Sequence, residues 1–166
     1  MAQKKLINID IILDELVFDI LNETYLRGRS IRNADNHKEV ASLQASMDEE
    51  DHDKIMRAIK KGYSEIKLEL AEYLNETANT TDNKLIADDG VLEIKLTMPS
   101  NYNESATVGL GEAVHNYIKN VAVADWYLVT NKAEATDYLT LATASLVNIQ
   151  QSLSKRSRPQ RRYQYA

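Results

Sequence analysis

Two Glu-x-x-His pairs are the residues of this sequence whose types and spacing come closest to a chemical motif. They are Glu49 with His52 and Glu112 with His115. Residues three apart lie on one face of a helix, so each pair would present a carboxylate and an imidazole together. Helical bundles that hold two metal ions use this spacing on two helices, with a further carboxylate from each of two others. The pattern therefore raises a di-metal site as a hypothesis.

The rest of the chain does not complete that site. The last predicted helix has no carboxylate after Asp137, and Glu49 with His52 falls in the acidic run that begins another helix. Metal ions in bundles are held in the core by inward-facing side chains of several helices. The alternative interpretation is that Glu49 caps its helix and that the histidines are exposed. We favour this alternative and expect no metal and no cofactor.

Other catalytic groupings are also missing from the sequence. The chain has no cysteine, which excludes a disulfide framework, a thiolate metal site and a cysteine nucleophile. There is no serine-centred elbow, no glycine-rich phosphate loop and no zinc helix motif, and "VGLGEA" supplies only a G-x-G. The sequence predicts a protein that is not an enzyme.

A basic segment near the end of the sequence is the strongest clue to function. Five positive charges lie within the eight residues from Lys155 to Arg162, although the whole chain has a net charge of −5. Removing those five charges leaves about −10 on the rest of the chain. Pro159 adds a fixed bend and two tyrosines add anchors, as suits docking in a groove or on a sheet edge. The predicted partner-docking residues are Lys155, Arg156, Arg158, Pro159, Arg161, Arg162, Tyr163 and Tyr165.

Two other interpretations of this segment stay open. It is a solvated end that aids solubility, or it binds nucleic acid through its charges on phosphates and its tyrosines on bases. The second would make the chain a cytoplasmic helical protein with a nucleic-acid-binding tail. The acidic remainder of the chain opposes a close approach to DNA except at the segment itself.

Hydrophobic periodicity predicts four main helices. The first spans residues 9–27 with Gly28 as its stop, and the second spans about 47–76, with Ser46 and Glu49 as a capping box. Gly62 inside the second helix predicts a close helix contact or a bend. Between these two helices, residues 29–45 form a connector with a helical turn near 38–43. Two further helices around 110–128 and 138–153 form an antiparallel pair because only a short break separates them.

A change of period marks one strand. "VLEIKLTM" at 91–98 alternates apolar and polar residues, and "KLIA" at 84–87 is its predicted hairpin partner across "DDG". The predicted fold is therefore mainly α: a bundle of about four helices with an inserted β-hairpin near 84–98. It comprises a helical domain at 1–154 and an extended tail at 155–166. Trp126, Ile94 and Leu96 are expected to be inter-subunit or core anchors, because a lone hairpin must pack on the helices or on a neighbour.

The order of these features resembles the head–tail connector (adaptor or neck ring) proteins of tailed bacteriophages. The likeness covers most of residues 47–162 and is strongest in the stretch from "VHNYIKNVAVADWYLVTN" to "SLSKRSRPQRR". It is closest to structural proteins of phages of gut Bacteroidetes. The N-terminal 45 residues carry none of it.

This resemblance implies a structural role in the phage neck. Family members form rings, commonly of twelve copies, beneath the portal, and their C-terminal segments commonly dock in it. For this chain we expect as partners other copies of itself, the portal protein and the next ring or tail protein, with DNA passing through the channel without specific binding. The expected location is the virion, after synthesis in the host cytoplasm, without a membrane.

Overall fold

The computed structural model describes residues 3–33, 35–79 and 90–159. Within them the chain is mainly helical, with one two-stranded antiparallel sheet, which confirms the predicted class. The elements in chain order are strand β1 (Lys5–Ile12), helices α1 (Leu13–Ser30), α2 (His37–Leu43) and α3 (Glu49–Glu69), strand β2 (Val91–Met98), and helices α4 (Thr107–Thr130) and α5 (Lys132–Leu153).

The predicted helix at 9–27 is wrong at its N-terminal end, where residues 5–12 form β1. Ile7, Ile9 and Ile11 are buried and the residues between them are exposed, which is the two-residue period of a strand. The chain passes from Ile12 into α1 without a loop, so the apolar residues that the sequence assigned to one helix are divided between β1 and α1. Gly28 does not stop α1 either, since the helix continues to Ser30.

The strand predicted at 91–98 is confirmed, and its partner strand among the described residues is the distant β1. β2 pairs with β1 in antiparallel register, from Lys5 opposite Met98 to Ile12 opposite Val91. The other edge of β2 meets the chain after α3: the Thr97 N–H donates to the Tyr73 carbonyl (2.7 Å) and the Asn75 N–H to the Lys95 carbonyl (2.9 Å). The predicted partner strand at 84–87 lies outside the described residues.

α3 is shorter than predicted and begins with a different cap. It ends at Glu69 rather than near residue 76, because the chain turns there to follow β2. The capping box of Ser46 and Glu49 is wrong: the Ser46 N–H and hydroxyl both donate to the Asp51 carboxylate, at 3.0 and 2.8 Å. The helical turn expected near 38–43 is present as α2.

α4 is the central helix of the fold, with α3 and α5 packed along it. A Cβ on Gly62 would lie 3.3 Å from the Ile118 Cα, so the absence of a side chain lets α3 approach α4 closely, as predicted. The antiparallel pair α4–α5 is confirmed, and the Asn131 side chain between them accepts hydrogen bonds from the N–H groups of Ala133 and Glu134. The inner face of the sheet joins the same core through Ile94 and Leu96, which are fully buried.

Candidate functional site

The first residues of the basic segment are hydrogen-bonded to the loop before α4. The Ser157 N–H donates to the Asn101 carbonyl (2.8 Å) and the Asn103 N–H donates to the Lys155 carbonyl (3.2 Å). Tyr102 and Arg156 thus form an antiparallel bridge. Tyr102 is fully buried, so this bridge rests on the core. Residues 155–157 are therefore part of the fold rather than a free tail.

The cations predicted to dock differ in whether the fold already uses their charged groups in hydrogen bonds. The Arg156 guanidinium donates to the carbonyls of Leu153 (2.7 Å) and Lys155 (3.1 Å), so it caps the C-terminal end of α5. Lys155, Arg158 and Pro159 are exposed. The other predicted docking residues, Arg161, Arg162, Tyr163 and Tyr165, lie outside the described residues. Sequence reasoning missed the loop at 101–103, since nothing in "NYN" marks it as a partner of the basic segment.

From residue 138 onward, the exposed face of α5 is uncharged. Residues 138–154 contain no charged side chain, although 27% of the residues of the whole chain are charged. Leu139, Leu141 and Val147 are each about half exposed on this helix (47%, 51% and 46%). Val129, at the end of α4, is 79% exposed. This face suits contact with another protein better than contact with nucleic acid, which would require cations.

A depression of about 190 Å³ lies between α3, α4 and α5. Its polar wall has the Tyr117 hydroxyl donating to Glu65 (3.1 Å) and the Lys61 ammonium 3.7 Å from the Asp125 carboxylate. Burial, with the nearby Glu65 carboxylate, raises the pKa of Tyr117 to about 12. Tyr117 is therefore protonated at neutral pH and acts as a hydrogen-bond donor, not as a base.

A second polar cluster joins α1, α4 and α5 and was missed from the sequence. The Tyr138 hydroxyl donates to Glu23 (2.7 Å), Arg27 forms an ion pair with Glu134, and the rings of Tyr127 and Tyr138 stack at 5.6 Å. Burial raises the pKa of Tyr127 to about 12, and burial with the Glu23 hydrogen bond raises that of Tyr138. The cluster links three helices and keeps both phenols neutral.

The raised tyrosine pKa values predict a loss of stability in alkali. An unfolded tyrosine ionises near pH 10, whereas the folded phenols stay protonated, so the unfolded state binds fewer protons above that pH. The free energy of unfolding should fall from about pH 10 toward pH 12, by up to about 1.4 kcal/mol per pH unit for each such tyrosine. Urea titrations of the wild type and of Tyr138→Phe at pH 8 and pH 11 measure this. The wild type should lose more stability than the variant, and equal losses would contradict the assignment.

The predicted anchors lie in the core of the single chain. Trp126 is 7% exposed and its indole N–H donates to the Leu43 carbonyl (2.9 Å), which ties α4 to α2. The Lys54 ammonium lies 5.0 Å from the centre of its ring. Ile94 and Leu96 are fully buried under the sheet.

The two Glu-x-x-His pairs are placed on different helices. Glu49 and His52 lie in the first turn of α3, and Glu112 and His115 lie near the start of α4. The His115 Nε2 atom is 2.8 Å from the Asp19 carboxylate of α1, so this histidine has a protein partner. Among the described residues, no three histidine, aspartate or glutamate side chains are grouped to hold a metal ion. That no metal is bound stays a prediction.

Comparison of the chain with models of protein families, with curated proteins and with solved structures found no match. In the part of the chain that the structure describes, no helix is both long and apolar enough to cross a membrane.

Proposed function

We propose that this chain is a structural subunit of a bacteriophage neck ring that joins the portal to the tail, and not an enzyme. The observation that carries the proposal is the fixed exit of the basic segment. Hydrogen bonds from residues 155–157 to 101–103 hold that exit, so Arg158 and Pro159 leave an acidic body at a defined place. A segment presented from a fixed place loses less freedom on docking, which favours binding to an acidic protein surface.

The uncharged face of α5 supports self-association. Leu139, Leu141 and Val147 expose apolar surface that a neighbouring copy would bury. Ring closure repeats one head-to-tail interface by rotation, and twelve copies is the common number in the family that the sequence resembles. An acidic ring does not grip DNA passing through its channel. The proposed location is the virion, with the portal and the next ring or tail protein as partners.

The polar groups of the described residues support a structural role. The phenol beside Glu65 is kept neutral, and the Arg27–Glu134 and His115–Asp19 pairs each link two helices. Contacts of this kind hold helices together, which is the task of polar groups in a structural subunit.

Reversing three charges of the basic segment should weaken docking. The variant carries Arg158→Glu, Arg161→Glu and Arg162→Glu and leaves residues 155–157 intact, because deleting those would also remove contacts of the fold. Three charge reversals at a complementary surface should weaken binding by at least about tenfold. Co-purification with the portal protein encoded by the same phage genome, followed by titration, measures the loss.

The matched control reverses three exposed cations elsewhere: Arg32→Glu, Lys38→Glu and Lys132→Glu. This control changes the net charge equally and should keep portal attachment. Binding to duplex DNA across a salt series tests the nucleic-acid alternative, for which five phosphate contacts would give a slope of about −4.5. Full portal attachment by the tail variant, with a large loss of DNA affinity, would contradict docking and favour that alternative.

A further inference from the structure

One edge of β1 has backbone groups that point away from the sheet. The Leu13 N–H donates to the Gly90 carbonyl (2.8 Å), and this pair continues the register in which Ile12 lies opposite Val91. Hydrogen-bonded pairs alternate in an antiparallel ladder. The odd-numbered residues of β1 therefore turn their N–H and C=O groups toward β2, and Leu6, Asn8 and Asp10 turn theirs outward.

The two edges of this sheet differ in whether their outward backbone groups have hydrogen-bond partners. On β2, the outward groups of Lys95 and Thr97 are bonded to Tyr73, Asn75 and Asn79. On β1, the outward backbone groups of Leu6, Asn8 and Asp10 have no hydrogen-bond partner within the described ranges. Proteins commonly protect such an edge with proline, a bulge or a covering element. β1 has no proline and pairs in continuous register along its length.

The side chains along this edge expose apolar surface at both ends. Leu6 is 75% exposed and Ile12 is 44% exposed, with Asn8 and Asp10 between them on the same face. A two-stranded sheet is marginal, and a third strand would satisfy the edge and bury these residues. The edge thus offers backbone groups that can form hydrogen bonds and apolar side chains that a third strand would bury, as a strand-pairing surface requires.

We propose that this edge pairs with the same edge of a second copy of the chain, antiparallel, with Leu6 opposite Ile12 and Asn8 opposite Asp10. Residues with outward groups must oppose each other, which leaves few registers. The proposed one pairs Leu6, Asn8 and Asp10, sets Leu6 opposite the exposed Ile12, and so matches apolar with apolar and amide with carboxylate. Two neighbouring registers are less favourable. Shifting by two residues one way places Asn8 opposite Asn8 and Leu6 opposite Asp10. Shifting by two the other way places Asp10 opposite Asp10, and these two carboxylates repel each other.

The flanking charges favour the same register. Lys4 precedes the strand and Asp14 follows it, and both are exposed. In the proposed register Lys4 of each copy approaches the strand end that carries Asp14 of the other. The result is a twofold dimer with a four-stranded sheet in the order β2–β1–β1–β2. This dimer does not rest on the proposed function, because it uses the edge of β1, whereas the proposed ring contact uses the exposed face of α5.

Disulfide trapping tests the register, and the absence of cysteine from the chain makes the background clean. Asn8→Cys and Asp10→Cys are purified separately, mixed and oxidised. Opposed residues of a hydrogen-bonded pair have Cα atoms about 5.5 Å apart, within disulfide range, whereas diagonal neighbours lie about 7–8 Å apart. The mixture should form covalent dimers at least about fivefold faster than either variant alone, as the difference in separation requires. No cross-linking, or equal cross-linking in all three samples, would overturn the proposed register.

Proline substitution tests the edge without breaking the existing ladder. Asn8→Pro removes an outward N–H, and Asn8→Ala keeps it as the matched control. In sedimentation, the particle mass of Asn8→Pro should be half that of the wild type and of Asn8→Ala, with retained helicity. For wild-type protein that has not closed into a ring, the expected mass is twice the 18.8 kDa chain mass. A monomeric wild type at about 100 μM, roughly the level at which a weak specific dimer forms, would overturn the dimer. An intramolecular disulfide in monomeric Asn8→Cys/Tyr163→Cys would also overturn it and would assign the edge to the chain's own residues 160–166.

Discussion

Replacing Ile94 with Asp should unfold the protein at room temperature. Ile94 is fully buried, lies opposite Ile9 in the sheet and belongs to the main core. The substitution removes the packing of a core isoleucine, worth about 2–5 kcal/mol, and buries a carboxylate without a partner, which costs several kcal/mol more. The sum is comparable to the whole stability of a typical domain, about 5–15 kcal/mol. Circular dichroism at 222 nm during urea titration would measure the loss.

Two controls separate burial from a general effect of changing the strand. Ile94→Val keeps the apolar character and should cost about 0.5–1.5 kcal/mol. Glu93→Gln on the opposite face changes a side chain that is 44% exposed and forms an ion pair with Lys95, and it should cost less than about 1 kcal/mol. A cooperative transition of Ile94→Asp at the wild-type midpoint would contradict the placement of β2 over the helices.

Replacing Trp126 with Ala should destabilise the isolated chain by about 3–5 kcal/mol. The indole is 7% exposed, and its N–H satisfies the Leu43 carbonyl at the end of α2. Truncation therefore leaves a cavity and an unpaired buried carbonyl together. Trp126→Phe keeps most of the volume and should cost about 1–3 kcal/mol, mainly for the lost hydrogen bond. Thermal and urea unfolding of the dilute protein would measure both values.

The matched control for Trp126 is Val129→Ala on the same helix. Val129 is 79% exposed, so its truncation should change the free energy of unfolding by less than about 0.5 kcal/mol. This comparison also separates the two roles expected for Trp126. If it were only an inter-subunit anchor, Trp126→Ala would weaken assembly and leave the melting temperature of the dilute chain unchanged.

The helices were largely predictable because their signal is local. α3, α4 and α5 each carry apolar residues at spacings of three and four, and the buried residues Ile55, Ile59 and Ile66 of α3 follow that stripe. The turn between α4 and α5 was equally visible, since its capping Asn131 lies in the sequence break. In these elements the residues that set the conformation are neighbours in the chain.

The sheet was predicted only in half because strand pairing is not local. The alternation in 91–98 indicates a strand, but its partner residues in β1 lie 79 to 93 positions away, from Ile12 opposite Val91 to Lys5 opposite Met98. In residues 9–12 the apolar positions fit a helical and a strand period equally well. Contact with β2 resolves the ambiguity by burying Ile7, Ile9 and Ile11. The sequence instead predicted residues 84–87 as the partner, because turn residues connect them to β2. A sequence shows which segments are neighbours in the chain and does not show which are neighbours in space.

The sequence by itself determined the charge contrast, the mainly helical class and the basic segment, because composition and period need no partner to be observed. Only the tertiary structure showed that residues 155–157 belong to the fold, that Arg156 caps α5 and that one edge of β1 has no partner among the described residues. These features depend on backbone groups of segments distant in sequence coming within hydrogen-bond range. Backbone groups are the same in every residue, so the sequence does not reveal which of them the fold pairs and which it leaves without a partner.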